Sequence, residues 1–259
     1  PLLAATAALL TAEGAATVEV LDPATARPPA APADVYLLKS RTPQAVALAG
    51  ALQASGARVV NSAAATARCQ DRTAMAADAL RAGLPFVPTR GYASAAELAA
   101  AEAVPDGGPV VVKSRHSRKG DVVVRLQDAA AVRDFADTAP EGPYVVQDFV
   151  PNAGWDHKLW AIGPHVFGAL RRSELAAPAD GPGAGPVTLP DAWRTLVRRT
   201  GAAFGLDVYG VDVIDTPGGP VVVDVNAFPG VRDQPGAPEA LAALTLHATG
   251  AWSATACGC

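Results

Sequence analysis

Two apolar segments near the C-terminus, each with an acid at its centre, limit how this chain can fold more than any other feature. They are Tyr209-Gly-Val-Asp-Val-Ile214 and Val221-Val-Val-Asp-Val-Asn226. In a strand, residues two apart point to one face, so Asp224 and Asn226 project together. The intervening Thr216-Pro-Gly-Gly219 turn predicts a hairpin, which brings Asp212 alongside them. Two carboxylates and an amide oxygen among valines are costly to bury unless something cationic compensates. Magnesium suits such an oxygen set, above all when it also bridges phosphates. The alternative is that these side chains sit at strand ends and face water.

The rest of the chain supplies a framework for that hairpin. Helix-like and strand-like patterns alternate throughout, which predicts an α/β protein. In the first third, strands are expected at Thr17–Leu21, Val35–Lys39 and Arg58–Val60, with a helix over Thr42–Ser55 closed by Gly56. The opening Pro-Leu-Leu-Ala-Ala segment reads as an amphipathic helix: it lacks a basic start and a cleavage-type loop. With no Met at position 1, a first strand upstream is an open expectation. Next come a helix over Thr73–Arg81 stopped by Gly83, an extended passage imposed by Pro85 and Pro88, and strands at Val110–Lys113 and Val122–Leu126. A helix over Asp128–Thr138, capped by Asp128, precedes a strand at Tyr144–Gln147. The last third is read as strands Lys158–Ile162 and Val166–Leu170, a mobile Ala/Pro/Gly loop over Ala176–Pro186, and a helix Pro190–Phe204 ended by Gly205. Strands Val208–Ile214 and Val221–Val225 and a final helix Pro238–Ala248 complete it.

Composition excludes several classes. Half of the 259 residues are hydrophobic, enough for a full core, and the formal net charge is -4 with Lys and Arg dispersed. No polybasic run points to nucleic acid or a membrane surface. No apolar run is long enough to span a membrane. Cys69, Cys257 and Cys259 are too few for a disulfide framework, and a terminal Cys-Gly-Cys supplies only two thiolates to a zinc site. They are expected to be free thiols in a reducing cytoplasm.

Two further motifs precede the acidic hairpin. In Pro109-Val-Val-Val-Lys113, a lysine ends an apolar strand beside the loop Ser114–Gly120, from where it can reach phosphate oxygens. In Tyr144-Val-Val-Gln-Asp-Phe-Val150, backbone groups can pair with an adenine edge while apolar side chains sandwich the ring. Neither is a signature alone, since lysines often end strands and the second motif also fits an ordinary edge strand.

In this order, the three motifs resemble the ATP-grasp superfamily over roughly Val35 to Ala248. Asp71-Arg72 opening a helix and Ala82-Gly-Leu-Pro-Phe-Val-Pro-Thr89 are similar to its second subdomain. The resemblance implies three α/β subdomains, 1–68, 69–147 and 148–259, with ATP between the central and C-terminal ones. It implies that Arg72 and Lys113 contact ATP phosphates, that Gln147, Asp148, Phe149 and Val150 hold adenine, and that Asp156 meets the ribose. Asp212, Asp224 and Asn226 would hold magnesium, with manganese as the alternative ion. The Ser114–Lys119 segment departs from the family in having no glycine. It offers Arg115, His116, Arg118 and Lys119 instead, either as a grip on anions or as a solvated basic tip.

Two branches of the superfamily fit. RimK-type carboxylate–amine ligases phosphorylate a carboxylate, and an amine then attacks the acyl phosphate. Inositol-trisphosphate 5/6-kinases phosphorylate a hydroxyl directly. Gln147-Asp-Phe-Val-Pro-Asn-Ala-Gly154, with Lys158 and Arg171-Arg-Ser173, looks much like the kinase motif, and Asp224-Val-Asn-Ala-Phe-Pro-Gly230 like its metal signature. The ligase pattern shares Asn226 to Gly230, and an acidic chain suits a polyphosphate acceptor poorly, so the ligase is favoured. In both branches Arg171, with Lys158, is expected to stabilise the transferring phosphoryl group. A small-molecule or peptide acceptor is expected, and the related families are often homodimers. A nucleotide-binding module without catalysis is the reading from another class.

Overall fold

The computed structural model describes residues 2–12, 16–101, 104, 108–118, 120–176 and 183–250. Cys257, Cys259, Lys119 and most of the expected mobile loop (177–182) lie outside them. Among the described residues, helix α1 (Leu2–Ala12) is followed by β1 (Tyr36–Leu37), α2 (Pro43–Ala54) and β2 (Val59–Val60). Then come α3 (Ala63–Gln70), α4 (Arg72–Arg81), β3 (Thr89–Tyr92), α5 (Ala95–Ala100), β4 (Val110–Ser114), β5 (Val123–Leu126), α6 (Ala129–Thr138) and β6 (Tyr144–Asp148). The remainder is β7 (Trp155–Ile162), β8 (His165–Arg172), β9 (Gly185–Pro186), α7 (Asp191–Phe204), β10 (Val208–Thr216), β11 (Gly219–Ala227) and α8 (Ala237–Ala248).

Helix ends follow local chemistry. Thr42, Ser62, Asp71, Ser94 and Asp128 each cap a helix by accepting a backbone N–H, and Gly205 closes α7 in the left-handed conformation at φ 64°. Caps also mark the two helices that the sequence pattern did not predict, α3 and α5. Their Ala-rich stretches have little apolar periodicity, but Ser62 and Ser94 were the available signal.

The strands form three sheets: parallel β1-β2, antiparallel β3-β6-β4-β5, and antiparallel β11-β10-β7-β8-β9. The strand expected at Thr17–Leu21 is not one. This segment has no ladder partner among the described residues, and Val20 is 96% exposed. Its apolar alternation gives it strand character, but strands exist only in pairs, and β1 and β2 pair with each other. Strands β7 and β8 run longer than expected, reaching Trp155 and Arg172, because their polar ends pair across the ladder.

One face of the five-stranded sheet packs on α7, α3 and α4 through Leu159, Val211, Val213, Val222, Val225, Met75, Ala79, Leu196 and Val197. Gly201 leaves room on α7 for Tyr209, whose Oη donates to the Val197 carbonyl at 2.8 Å; a Cβ there would meet the ring oxygen at 2.3 Å. The opposite face is split. At one end Trp160, Ile162, Val208 and Phe228 lie under α8, and α1 packs on α8 in turn. At the other end the same face is polar.

Asn61, directly after β2, ties the two-stranded sheet to this one. It is buried, donates to the Val208 carbonyl at 2.6 Å, and accepts from the backbone N–H groups of Asp207 and Val208 at 2.8 and 3.0 Å. Loss of one partner strands buried groups at ~1–3 kcal/mol each. Asn61→Ala should therefore lower unfolding free energy by about 2–4 kcal/mol, measured by urea titration. Cys69 is buried in the main core, and burial pushes its thiol up to about 12. Iodoacetamide should leave the Cys69 peptide unmodified in native protein and alkylate it in denaturant, as read by mass.

Candidate active site between two sheets

The polar half of the split face is built by register. Asp212 pairs with Asp224 across β10 and β11 and with Lys158 across β10 and β7, while Asn226 pairs with Gly210. Between Asp212 and Val213 the register shifts, so Val223 becomes an extra bulged residue. The shift keeps Asp224 and Asn226 on the polar face while Val222 stays in the core opposite Val213. Gly210 lets Pro229 close over the strand: a Cβ there would meet Pro229 Cγ at 3.0 Å. The three expected metal ligands do converge.

Each of the three faces a cation. Lys158 Nζ stands 2.7 and 2.8 Å from the two oxygens of Asp212. Arg72 Nη2 donates to Asp224 Oδ2 at 3.3 Å, and its Nη1 donates to Asp121 Oδ2 at 2.6 Å and to the Ser114 carbonyl at 2.7 Å. Arg41 Nη1 donates to Asn226 Oδ1 at 3.1 Å. Buried Lys113 crosses from the four-stranded sheet to the carbonyl of the bulged Val223 at 2.9 Å. Arg41 and Asp121 were not singled out from the sequence. Arg41 follows a two-residue strand, and no local motif marks it.

These surroundings separate the two acids. Burial alone would raise the Asp224 pKa, but Lys113 and Arg72 outweigh it and hold the carboxyl below the ordinary range. Burial dominates at Asp212 and pushes it up, offset only partly by Lys158 and reinforced by Asp224. Burial likewise lowers Lys113, against the pull of Asp224. Asp212 Oδ1 is buried, with the Lys158 ammonium as its partner at 2.7 Å. That oxygen, the second carboxylate and the Asn226 amide oxygen, which has a second lone pair beyond the one Arg41 uses, are a donor set that fits magnesium.

Beside this group a narrow cleft of about 70 Å³ opens between the two sheets. Val111, Lys113 and Gln147 to Val150 line one wall, and Asp156, Ile214 and Val223 lie opposite. All the residues expected around adenine and ribose thus share one cavity, smaller than the ~300–1,000 Å³ of a typical ligand pocket. Arg125 narrows the mouth: its guanidinium stacks over the Phe149 ring at 3.8 Å and donates to the Leu175 carbonyl at 3.0 Å. Burial raises the Asp156 pKa, against a lowering hydrogen bond with Ser173. Gln147 is buried and donates to Thr89 Oγ1 at 3.1 Å, whereas Asp148 is exposed and pairs with Arg90 at 3.0 Å.

Arg171 lies on the same polar face as the cross-strand partner of Asp156, exposed and 5.6 Å from the Trp160 ring centre. It forms no ion pair with Asp212 or Asp224 among the described residues. The basic loop is tied to the α3–α4 junction. Arg115 pairs with Asp71 through both carboxylate oxygens (3.0 and 2.7 Å), the Arg72 N–H donates to the Arg115 carbonyl at 2.9 Å, and the Ser117 N–H to Gln70 at 2.8 Å. The same Asp71 caps α4, and the Arg115 hydrogen bond leads in lowering its pKa. Arg115 therefore holds the loop, while Arg118 stays exposed.

A family model of the RimK-like ATP-grasp domain matches residues 91–236. The chain is 30% identical over 188 residues to a probable alpha-L-glutamate ligase of Sodalis glossinidius, covering 68% of this chain and 62% of that protein. It is 33% identical over 133 residues to a probable alpha-L-glutamate ligase of Mannheimia succiniciproducens, covering 48% and 44% respectively. It thus spans from under half to about three fifths of these relatives' length. Among solved structures, a RimK domain ATP-grasp protein of Sphaerobacter thermophilus superposes with a TM-score of 0.74 at 26% identity, over 95% of both chains.

The ion network makes a measurable demand. Removing one partner of a buried pair leaves an uncompensated charge and costs ~3–5 kcal/mol. Because Lys113 also shields Asp224, Arg72→Met should cost about 3 kcal/mol in urea unfolding of the protein without added metal.

Proposed function

Because the chain belongs to the RimK-like ATP-grasp family, we propose that it is an ATP- and magnesium-dependent carboxylate–amine ligase. The observation that carries this reading is the alignment of the cleft, Lys113 and the Asp212, Asp224 and Asn226 cluster along one pair of facing sheets. ATP would lie between units 69–147 and 148–259, with 1–68 closing the far side. Gln147 to Val150 hold the adenine, once Arg125 and Leu175 withdraw from Phe149 to widen the cleft. Asp156 meets the ribose.

Lys113 and Arg72 neutralise the phosphates; both already stand beside Asp224 and need only turn from their present acceptors. Asp212, Asp224 and Asn226 would hold magnesium, or manganese in its place, and a bound ion would supply neutralisation of the charge on the transferring group. Lys158 and Arg171, on adjacent strands of the same face, stabilise that group from the protein side. A substrate carboxylate oxygen attacks the γ-phosphorus, the bond to ADP breaks, and the acyl phosphate forms. An amine nitrogen then attacks the acyl carbon, phosphate leaves, and the nitrogen gives up its proton to form the amide. The acceptor is an amino acid or peptide, in keeping with the glutamate ligases named among the relatives. No helix among the described residues is long and apolar enough to cross a membrane. A cytoplasmic homodimer completes the proposal.

The test is ADP release with magnesium and ATP against amino acids, peptides and inositol phosphates, with product masses. A gain of one amino-acid residue supports the ligase, whereas a gain of one phosphate on a polyol would overturn it. Asp224→Ala should reduce ADP release by at least ~100-fold, and unchanged turnover would remove Asp224 from the metal site.

A further inference from the structure

Strand β11 gives the site a direction. Its bulged Val223 borders the nucleotide cleft, Asp224 follows beside Arg72, Asn226 beside Arg41, and the Phe228 carbonyl accepts from Lys39 Nζ at 2.7 Å. At ~3.3 Å per residue, Val223 and Ala227, the last residue of β11, are about 13 Å apart along the strand, and Phe228 follows directly. A nucleotide with its base in the cleft and its phosphates at Lys113 and Arg72 therefore runs toward Asn226. Whatever receives the phosphoryl group must lie beyond, where Arg41 and Lys39 stand.

Both cations come from the end of β1, outside the two sheets that form the cleft. The Arg41 backbone is fixed, since the Gln70 amide donates to its carbonyl and Thr42 caps α2 directly after it. Its guanidinium is half-buried, and its one side-chain hydrogen bond among the described residues goes to Asn226. A guanidinium carries five N–H donors in a planar fork that matches a carboxylate. Lys39 adds a second positive charge, its ammonium 5.9 Å from the Phe228 ring centre. Neither has a carboxylate partner among the described residues. Two cations without a carboxylate partner among the described residues, one half-buried and one exposed, stand at the far end of an otherwise paired network, where an anion from outside the protein can meet both.

We propose that Arg41 and Lys39 bind the carboxylate of the acceptor, Arg41 through its unused N–H groups, and so select a carboxylic acid as the group to be phosphorylated. The assignment rests on the ligase reading and names the residues that make the acceptor site. Asn226 serves both sides: its amide oxygen can accept from Arg41 and still offer a lone pair to the metal. Arg41 thereby sets the acceptor against the transferring phosphoryl group.

The test is calorimetric titration of L-glutamate into the full chain saturated with magnesium and a non-hydrolysable ATP analogue. Arg41→Met should weaken L-glutamate by about tenfold or more, as expected for loss of a charge-assisted hydrogen bond. Lys39→Met should weaken it less, and both variants should bind the ATP analogue within about twofold of the parent. The diamide of glutamic acid, which lacks both carboxylates, should not bind. Equal weakening of glutamate and ATP analogue would assign Arg41 to the phosphates and overturn the proposal. So would unchanged glutamate affinity in both variants, no glutamate binding by the parent, or Arg41-dependent binding of an inositol phosphate in its place. Failure of the parent to bind the ATP analogue would sink the ligase reading itself, which separates the two results. Thermal unfolding within a few degrees of the parent confirms that each variant is folded.

Discussion

Two carboxylates pair directly across a hairpin, Asp212 opposite Asp224, in a sheet whose other face is solid hydrocarbon. Like charges so placed repel, and burial makes each more costly. The surrounding architecture supplies the compensation: Lys158 comes from the next strand, Arg72 from the start of α4, Lys113 from the opposing sheet and Arg41 from the first unit. Every part of the chain described so far sends a cation to this one pair of strands. The site is therefore also the electrostatic joint between the parts.

That joint explains the unequal treatment of the two acids. Asp224, between Lys113 and Arg72, is held ionised, whereas Asp212 has Lys158 beside it but is pushed toward the neutral form by burial. With folded pKa values displaced in opposite directions, they contribute oppositely to stability. The depressed Asp224 contributes stability present above the unfolded-state value near 3.9 and lost as pH falls through its folded value. The raised Asp212 costs stability that builds as pH rises from the unfolded-state value toward its folded value and is complete above it. A divalent cation held there, as proposed, would relieve the second without forfeiting the first.

Much of this was legible in the sequence because it depended on local rules. Alternation within β10 and β11 and the Thr216–Gly219 turn were enough to place Asp212 opposite Asp224, and Val223 to Asn226 revealed its face by parity, although the bulge that preserves that parity had no sequence mark. The end-of-strand Lys113 and the Gln147–Val150 segment also fell on one cleft as expected. What escaped was set by tertiary partners. Thr17–Leu21 has strand chemistry but no ladder to join, α3 and α5 are Ala-rich and were betrayed only by their caps, and Arg41 reaches Asn226 across 185 residues of chain. Arg115 was read as either an anion grip or part of a solvated tip, and a carboxylate 44 residues earlier takes up its fork instead.

The present arrangement of the cations bears on how the cleft works. Lys113 rests on a backbone carbonyl, Arg125 stacks on Phe149, and Arg72 spans Asp121 and Asp224. Each is a contact that an incoming nucleotide can replace with one of equal kind: phosphate oxygens for the carbonyl and carboxylates, a purine for the guanidinium over the ring. On the proposed reading, binding would exchange partners instead of creating isolated charges, so little interaction energy would be lost to stranding a buried ion. Asp121 sits where this exchange matters most. It anchors the end of the basic loop to Arg72, and Arg72 is shared with Asp224. The loop and the acidic hairpin are thereby joined through one buried guanidinium.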